Sequence, residues 1–200
     1  MYCILVTGIP ASGKSTIARM LSKKLNVPMI SKDDMKEILF DDLGFNSREE
    51  KVKLGVASMD IMYYVAAQLM EINKPFVLEK NFEHSSREGL MSILEKYSYK
   101  AITVTLTGDY EIIYERYAKR NDSPERHRGH VVNDCYPEKE SGRIIPPIPY
   151  EWFVGGIKNR GMDTFVGNGP RIIVDTTYIE EIDINHLINE VNQKVKELFK

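Results

Sequence analysis

Gly8-Ile9-Pro10-Ala11-Ser12-Gly13-Lys14-Ser15-Thr16 constrains this chain more than any other stretch, because it carries the spacing G-x-x-x-x-G-K-[ST]. Glycine lets the backbone turn tightly and lets an anion approach the main chain with no Cβ in the way. Successive N–H groups of such a turn point inward and form a nest for phosphate oxygens. Lys14 is placed to reach β- and γ-phosphates, Ser15 to set its hydroxyl on Mg²⁺, and Thr16 to begin a helix whose N-terminal dipole favours the same anion. The flanks agree. Tyr2 to Thr7 is a short apolar run suited to a buried strand, and Ile17, Ala18, Leu21 and Leu25 recur at helical spacing.

The alternation continues along the chain. Val27 to Ile30, Phe76 to Leu78, Ala101 to Leu106 and Arg171 to Asp175 read as further strands, separated by amphipathic helical segments. Ser47 and Ser85-Ser86 read as helix caps with an acidic residue downstream, and Asp109 and Asp183 as further caps. Strands alternating with helices imply a mostly parallel sheet covered on both faces, an α/β fold. From Asn121 to Pro170 periodicity fades and prolines and glycines gather, so an irregular insert is expected at about 131–169, after a lid at about 114–130. The whole of 1–200 is read as one domain.

In a parallel sheet, ligands gather at the carboxyl ends of the strands, and the chemically suggestive residues fall there. Asp33, with Asp34 as the alternative, is the candidate base for an acceptor hydroxyl. Lys36, one turn on, is a candidate substrate contact. Glu79 ends an apolar strand where a carboxylate would touch Mg²⁺, and Asn81 follows it as a substrate contact. Arg116 and Arg120 share one helix face and, with Arg126 and Arg128, are candidates to neutralise a transferred phosphoryl group. Core packing is expected of Tyr136, Trp152 and Phe153.

Composition narrows the classes. The formal net charge of −2 gives no global basic field, so broad nucleic-acid binding is not suggested. Two cysteines far apart in sequence, Cys3 and Cys135, supply neither a disulfide framework nor metal spacing. No apolar run approaches the ~18 residues needed to span a bilayer. The chain enters a strand at once, and the expectation is a cytoplasmic enzyme without a leader.

The P-loop, the run Ser31-Lys32-Asp33-Asp34-Met35-Lys36 and the Arg116/Arg120 pair together resemble the P-loop kinases of the polynucleotide kinase and zeta-toxin-like group, a group also described as AAA-type ATP-binding proteins. The resemblance covers roughly residues 1–130 and the last strand and helix. It implies a P-loop NTPase sandwich with a five-stranded parallel sheet in the order 2-3-1-4-5 and a mobile lid. It implies ATP and Mg²⁺ as cofactors, with ATP held by Gly8, Pro10, Ala11, Ser12, Gly13, Lys14, Ser15 and Thr16, and with adenine between Arg120 and Thr176. It also implies that Asp33 is the general base, that Lys36 stands where an arginine contacts substrate phosphate, and that Glu79 stands where an aspartate helps hold substrate. The expected activity is transfer of the γ-phosphoryl group of ATP to a hydroxyl of a small molecule. A polynucleotide 5′-hydroxyl kinase and an acceptor-free nucleotide switch are the alternatives.

Overall fold

In the computed structural model of the chain, which describes residues 1–140 and 142–200, five strands form one sheet in the order β2-β3-β1-β4-β5. They are β1 (Tyr2–Gly8), β2 (Met29–Ser31), β3 (Val77–Glu79), β4 (Lys100–Thr107) and β5 (Arg171–Asp175), and every pairing is parallel. The helices are α1 (Lys14–Leu25), α2 (Lys32–Leu43), α3 (Arg48–Glu71), α4 (Arg87–Lys96), α5 (Tyr110–Asn121), α6 (Arg128–Val131), α7 (Tyr150–Arg160) and α8 (Ile184–Leu198).

Side-chain alternation along the strands sorts the core into two layers. Ile4, Val6, Val77, Ile102, Val104 and Ile172 pack against Ile17, Ala18 and Leu21 of α1 and Leu187 and Val191 of α8. Cys3, Leu5, Leu78 and Ala101 point the other way, onto Met62, Ala66 and Met70 of α3 and Leu90 and Leu94 of α4. Both faces are covered, which is why the strands read as near-continuous apolar runs. The sheet order is the one the resemblance implies.

Caps set most helix starts. Ser31, Ser47, Asp109 and Asp183 each accept backbone N–H groups with their side chains. Ser86 does not. His84–Ser86 is a 3₁₀ turn running into α4, with no side-chain cap, so the cap expected there is absent. Helix α1 starts at Lys14, two residues before the expected Thr16, because Gly13 in the left-handed region (φ 81°) lets the loop enter the helix directly.

The segment expected to be an irregular insert is partly helical. Pro149 and the left-handed Gly161 bound α7, whose Phe153 and Ile157 pack with Ile113 of α5 and with Ile9 and Ala11 of the P-loop. Trp152, expected in the core, stands on the opposite face of α7 and is 73% exposed. Residues after α7 return to the sheet. Phe165 stacks on Phe82 at 5.3 Å, and Asn168 bonds the main chain of Tyr99 and Ala101. Before α7, Ile145, Pro146 and Ile148 line the cavity at the carboxyl ends of the strands, and Arg160 and Met162 at the end of α7 line it too. Ser141, within the expected insert, lies outside the described residues.

Candidate active site

The carboxyl ends of β1, β2 and β3 open into one cavity of about 860 Å³. That is the upper end of the range for small-molecule sites, roughly 300–1,000 Å³.

The P-loop forms its floor. Gly8 has φ +137°, and a Cβ there would lie 2.0 Å from the Leu106 carbonyl oxygen, so β1 can turn so close to β4 only with glycine. Ala11 (φ 62°) and Gly13 are both left-handed, the alternation that gathers N–H groups into an anion nest. No side chain caps α1, so its first N–H groups face the cavity with no intrahelical partner. Pro10, Ala11, Gly13, Lys14, Ser15 and Thr16 line the cavity. Gly8 lies behind it, and the Ser12 hydroxyl is buried without a partner. Lys14 Nζ folds back to donate a 2.7 Å hydrogen bond to the Ile9 carbonyl. Burial pulls its pKa down to about 8 against the pull of Glu79, with Arg120 adding to the depression.

The ends of β2 and β3 bring the carboxylates. Ser31 donates a 2.8 Å bond to Glu79 Oε2 and accepts from the Asp34 N–H, so one hydroxyl ties the start of α2 to the end of β3. Burial raises the Glu79 carboxyl despite Lys14 opposite. Asp33 faces the cavity. Burial alone would raise its carboxyl, but His130, Arg126, Lys32 and Lys36 hold it below the usual range. Asp34 is more exposed and pairs with Arg19 at 3.5 Å. Asn81 and Lys36 also line the cavity.

The arginines divide. Arg120 and Arg126 line the cavity, and each has a buried Nε without a partner. Arg116 lines it too, but its guanidinium donates to the carbonyls of Ala11 (3.3 Å), Thr176 (3.0 Å) and Thr177 (2.7 Å), lashing α5 to the P-loop and to the turn after β5. Two expectations fail on geometry. Arg128 points away from the cavity, bound through two nitrogens to Glu138 at 2.6 and 2.7 Å. The buried Thr176 hydroxyl is spent on the Thr107 carbonyl at 3.0 Å and does not face the cavity.

Sequence reasoning missed several residues the fold delivers. Lys32, Arg48, Lys51, Lys80 and His130 all line the cavity. Lys51 is buried and donates to the carbonyls of His130 and Val132 and to Asn133 Oδ1, pinning α3 to the 130–133 segment. His130 bonds Glu37 at 2.9 Å, and Phe40 packs against the rings of both His127 and His130. The only sequence signal was the basic run from Arg126 to His130.

A protein-family model described as an AAA domain matches residues 4–145. Among curated relatives, the chain is similar to L-seryl-tRNA(Sec) kinase of Methanococcus maripaludis, 27% identical over 193 residues. That match takes in 94% of this chain and 64% of the relative, so the chain spans just under two thirds of that protein's length. It is also similar to an adenylate kinase isoenzyme 6 homolog of Plasmodium falciparum, 26% identical over 174 residues, covering 82% of this chain and 90% of the relative. A crystal structure from Chloroflexus aurantiacus, assigned provisionally as a kinase, superposes with a TM-score of 0.80 at 28% identity, over 96% of this chain and 97% of that one. Shikimate kinase from Bacteroides thetaiotaomicron shares the fold, with a TM-score of 0.57 at 16% identity and 98% of each chain covered.

Proposed function

The chain belongs to the AAA-domain family, and on that premise we propose that it is an ATP- and Mg²⁺-dependent phosphotransferase, moving the γ-phosphoryl group of ATP to a hydroxyl of a small molecule. One observation carries the reading. Lys14 of the P-loop, the Asp33 carboxylate and Arg120 and Arg126, whose buried Nε atoms have no hydrogen-bond partner among the described residues, all face a single cavity. A nucleotide switch needs the P-loop but has no use for a carboxylate base and free arginines across from it.

In this reading the loop amides and Lys14 hold the phosphates. Asp33, kept ionised by the cations around it, accepts the proton of the acceptor hydroxyl as its oxygen attacks the γ-phosphorus. Arg120 and Arg126 meet the charge on the transferred oxygens. Arg116 keeps the loops in register around the nucleotide. Lys36 and Asn81 bind the acceptor.

The residues present fit Mg²⁺. Ser15 and Glu79 line the same cavity and offer only oxygen. Mg²⁺ is usually held through one or two carboxylates plus substrate phosphates. Bound with ATP, it would supply positive charge that offsets the phosphate charge.

The lid, at about 114–130, closes over the phosphates, and the insert at about 131–169 supplies the acceptor wall through Val131, Asn133, Ile145, Pro146 and Ile148, which line the cavity. The setting is taken as cytoplasmic, and among the described residues no helix is long and apolar enough to cross a membrane. The seryl-tRNA(Sec) kinase relative supports a second reading, in which the acceptor hydroxyl is carried on an RNA. The test is ADP formation from ATP and Mg²⁺ against a panel of hydroxyl acceptors, with 5′-hydroxyl RNA and DNA oligomers included. Acceptor-stimulated ADP is expected. ATP hydrolysis that no acceptor raises would point to the switch instead.

A further inference from the structure

The lid ends on a motif that the phosphotransferase reading leaves unused, His127-Arg128-Gly129-His130. It lies along one face of α2. Asp33, Glu37, Phe40 and Asp41 fall at i, i+4, i+7 and i+8, so they form a single stripe of that helix. Asp33 and Glu37 line the cavity, and Phe40 and Asp41 continue the stripe beyond it.

Each histidine takes one carboxylate of the stripe. His130 Nε2 lies 2.9 Å from Glu37 Oε1, and His127 Nε2 lies 3.0 Å from Asp41 Oδ1. The motif itself sets the tautomer of His127. Its Nδ1 accepts the Gly129 N–H at 3.0 Å, so Nε2 carries the proton and donates to Asp41. Tyr136 donates to the same Asp41 oxygen at 2.7 Å. Phe40, fully buried, packs on both imidazoles, with centroids 5.8 Å from His127 and 5.6 Å from His130. The main chain touches that ring too. A Cβ on Gly129 would lie 2.4 Å from Phe40 Cδ2, so the segment can sit this low only with glycine.

A lone exposed pair of this kind contributes little. Here the His130 side chain is only 8% exposed, and two rings and the backbone between them are engaged at once. The consequence falls on the residue just before the motif. Arg126 lines the cavity, and its buried Nε has no hydrogen-bond partner among the described residues. Nothing at that atom fixes the guanidinium, so its position is inherited from the backbone that follows. That backbone is held on α2, the helix that carries Asp33.

We propose that His127 and His130 are positioning residues that latch the end of the lid to α2 and so hold Arg126 in register with Asp33. One helix then sets both the base and a cation of the transfer step. The inference rests on the phosphotransferase reading and adds to it the residues that order the lid. Both histidines act through Arg126. A misplacement of about 1 Å in a group of this kind costs about 10²-fold in rate, so two hydrogen bonds outside the chemistry are enough to govern turnover.

The experiment uses the whole chain. Amide hydrogen exchange of the free protein, and kinetics with ATP, Mg²⁺ and an acceptor that stimulates ADP formation, compare wild type with four variants. These are His127→Ala/His130→Ala, Gly129→Ala, Arg126→Ala and the triple variant that combines Arg126→Ala with both histidine changes. His186→Ala, exposed on α8, is the control and should match wild type. Amides of 123–133 should exchange at least about tenfold faster in the double variant and in Gly129→Ala, with β1 and β4 unchanged. Gly129→Ala lifts the segment off Phe40 while keeping both histidines. In both, kcat should fall at least about tenfold with KM for ATP within about twofold. Once Arg126 is alanine, removing the histidines should cost less than about twofold more. His130→Gln, whose amide can still donate to Glu37, should keep more of kcat than His130→Ala. An equal loss of kcat with and without Arg126 assigns the histidines to the fold and overturns the proposal, as does unchanged exchange at 123–133. Faster exchange in the variants, with no acceptor raising ADP formation in wild type, supports the latch and overturns the phosphotransferase reading instead.

Discussion

Ser31 and Glu79 are register partners across β2 and β3, and the Ser31 hydroxyl donates a 2.8 Å hydrogen bond to the Glu79 carboxylate while capping α2. One side chain thus fixes both the proposed Mg²⁺ carboxylate and the helix that carries the proposed base. Ser31→Ala should cost about 0.5–2 kcal/mol through the lost cap, or a few degrees of Tm. It should also raise the Mg²⁺ concentration needed for half-maximal turnover. Thermal melts and a Mg²⁺ titration check both parts, and an unchanged Mg²⁺ dependence would separate Ser31 from the metal site.

ATP binding should be linked to protons through Lys14. Its ammonium titrates near 8 when the site is empty, and phosphate oxygens beside it must raise that value. The complex then holds more protons than the free protein above pH 8. Calorimetry in two buffers of different ionisation enthalpy should show proton uptake approaching one at pH 9 and little at pH 7, with affinity falling as pH rises above 8. Proton release at pH 9 would contradict the contact.

The two P-loop glycines should fail differently. Gly13→Ala strains a φ of 81° and meets the flexible Ile179 side chain, with Cδ1 at 2.0 Å and Cγ1 at 3.3 Å. It should fold, lose roughly 1–2 kcal/mol and bind ATP poorly. Gly8→Ala meets the Leu106 carbonyl oxygen, also at 2.0 Å. That atom belongs to the sheet and cannot move aside, so Gly8→Ala should destabilise the fold more. Denaturant melts of the two variants decide the order.

What the sequence made legible was local. The P-loop, the strand–helix alternation and the caps at Ser47, Asp109 and Asp183 each lie within a few residues, and each formed. Helix α7 was hidden because Pro146, Pro147 and Pro149 precede it and Gly155 and Gly156 interrupt its apolar pattern, although Phe153 and Ile157 suffice to bury one face. The cations of the α2–α3 wall were illegible for another reason: Lys32, Arg48 and Lys51 come together only through tertiary packing. Arg128 was misjudged because its partner, Glu138, lies ten residues on, and nothing local marks that pair.

The cysteines give a simple test of the core. Burial pushes the Cys3 thiol up to about 12 within β1, while Cys135 is partly exposed. A disulfide reagent at pH 8 should titrate one thiol quickly in the native protein and the second only on unfolding. Two fast thiols would mean that the β1 layer is not closed.

The central claim is tested most directly at Asp33. With any acceptor that stimulates turnover, transfer of the γ-phosphoryl group should fall by about 10²–10⁴-fold in Asp33→Asn. The dissociation constant for ATP, measured on the same preparations, should stay within about twofold, because Lys14 and the loop amides are untouched. Phosphoryl transfer at the wild-type rate in Asp33→Asn would contradict the account, since no other ionised carboxylate facing this cavity has been given the proton.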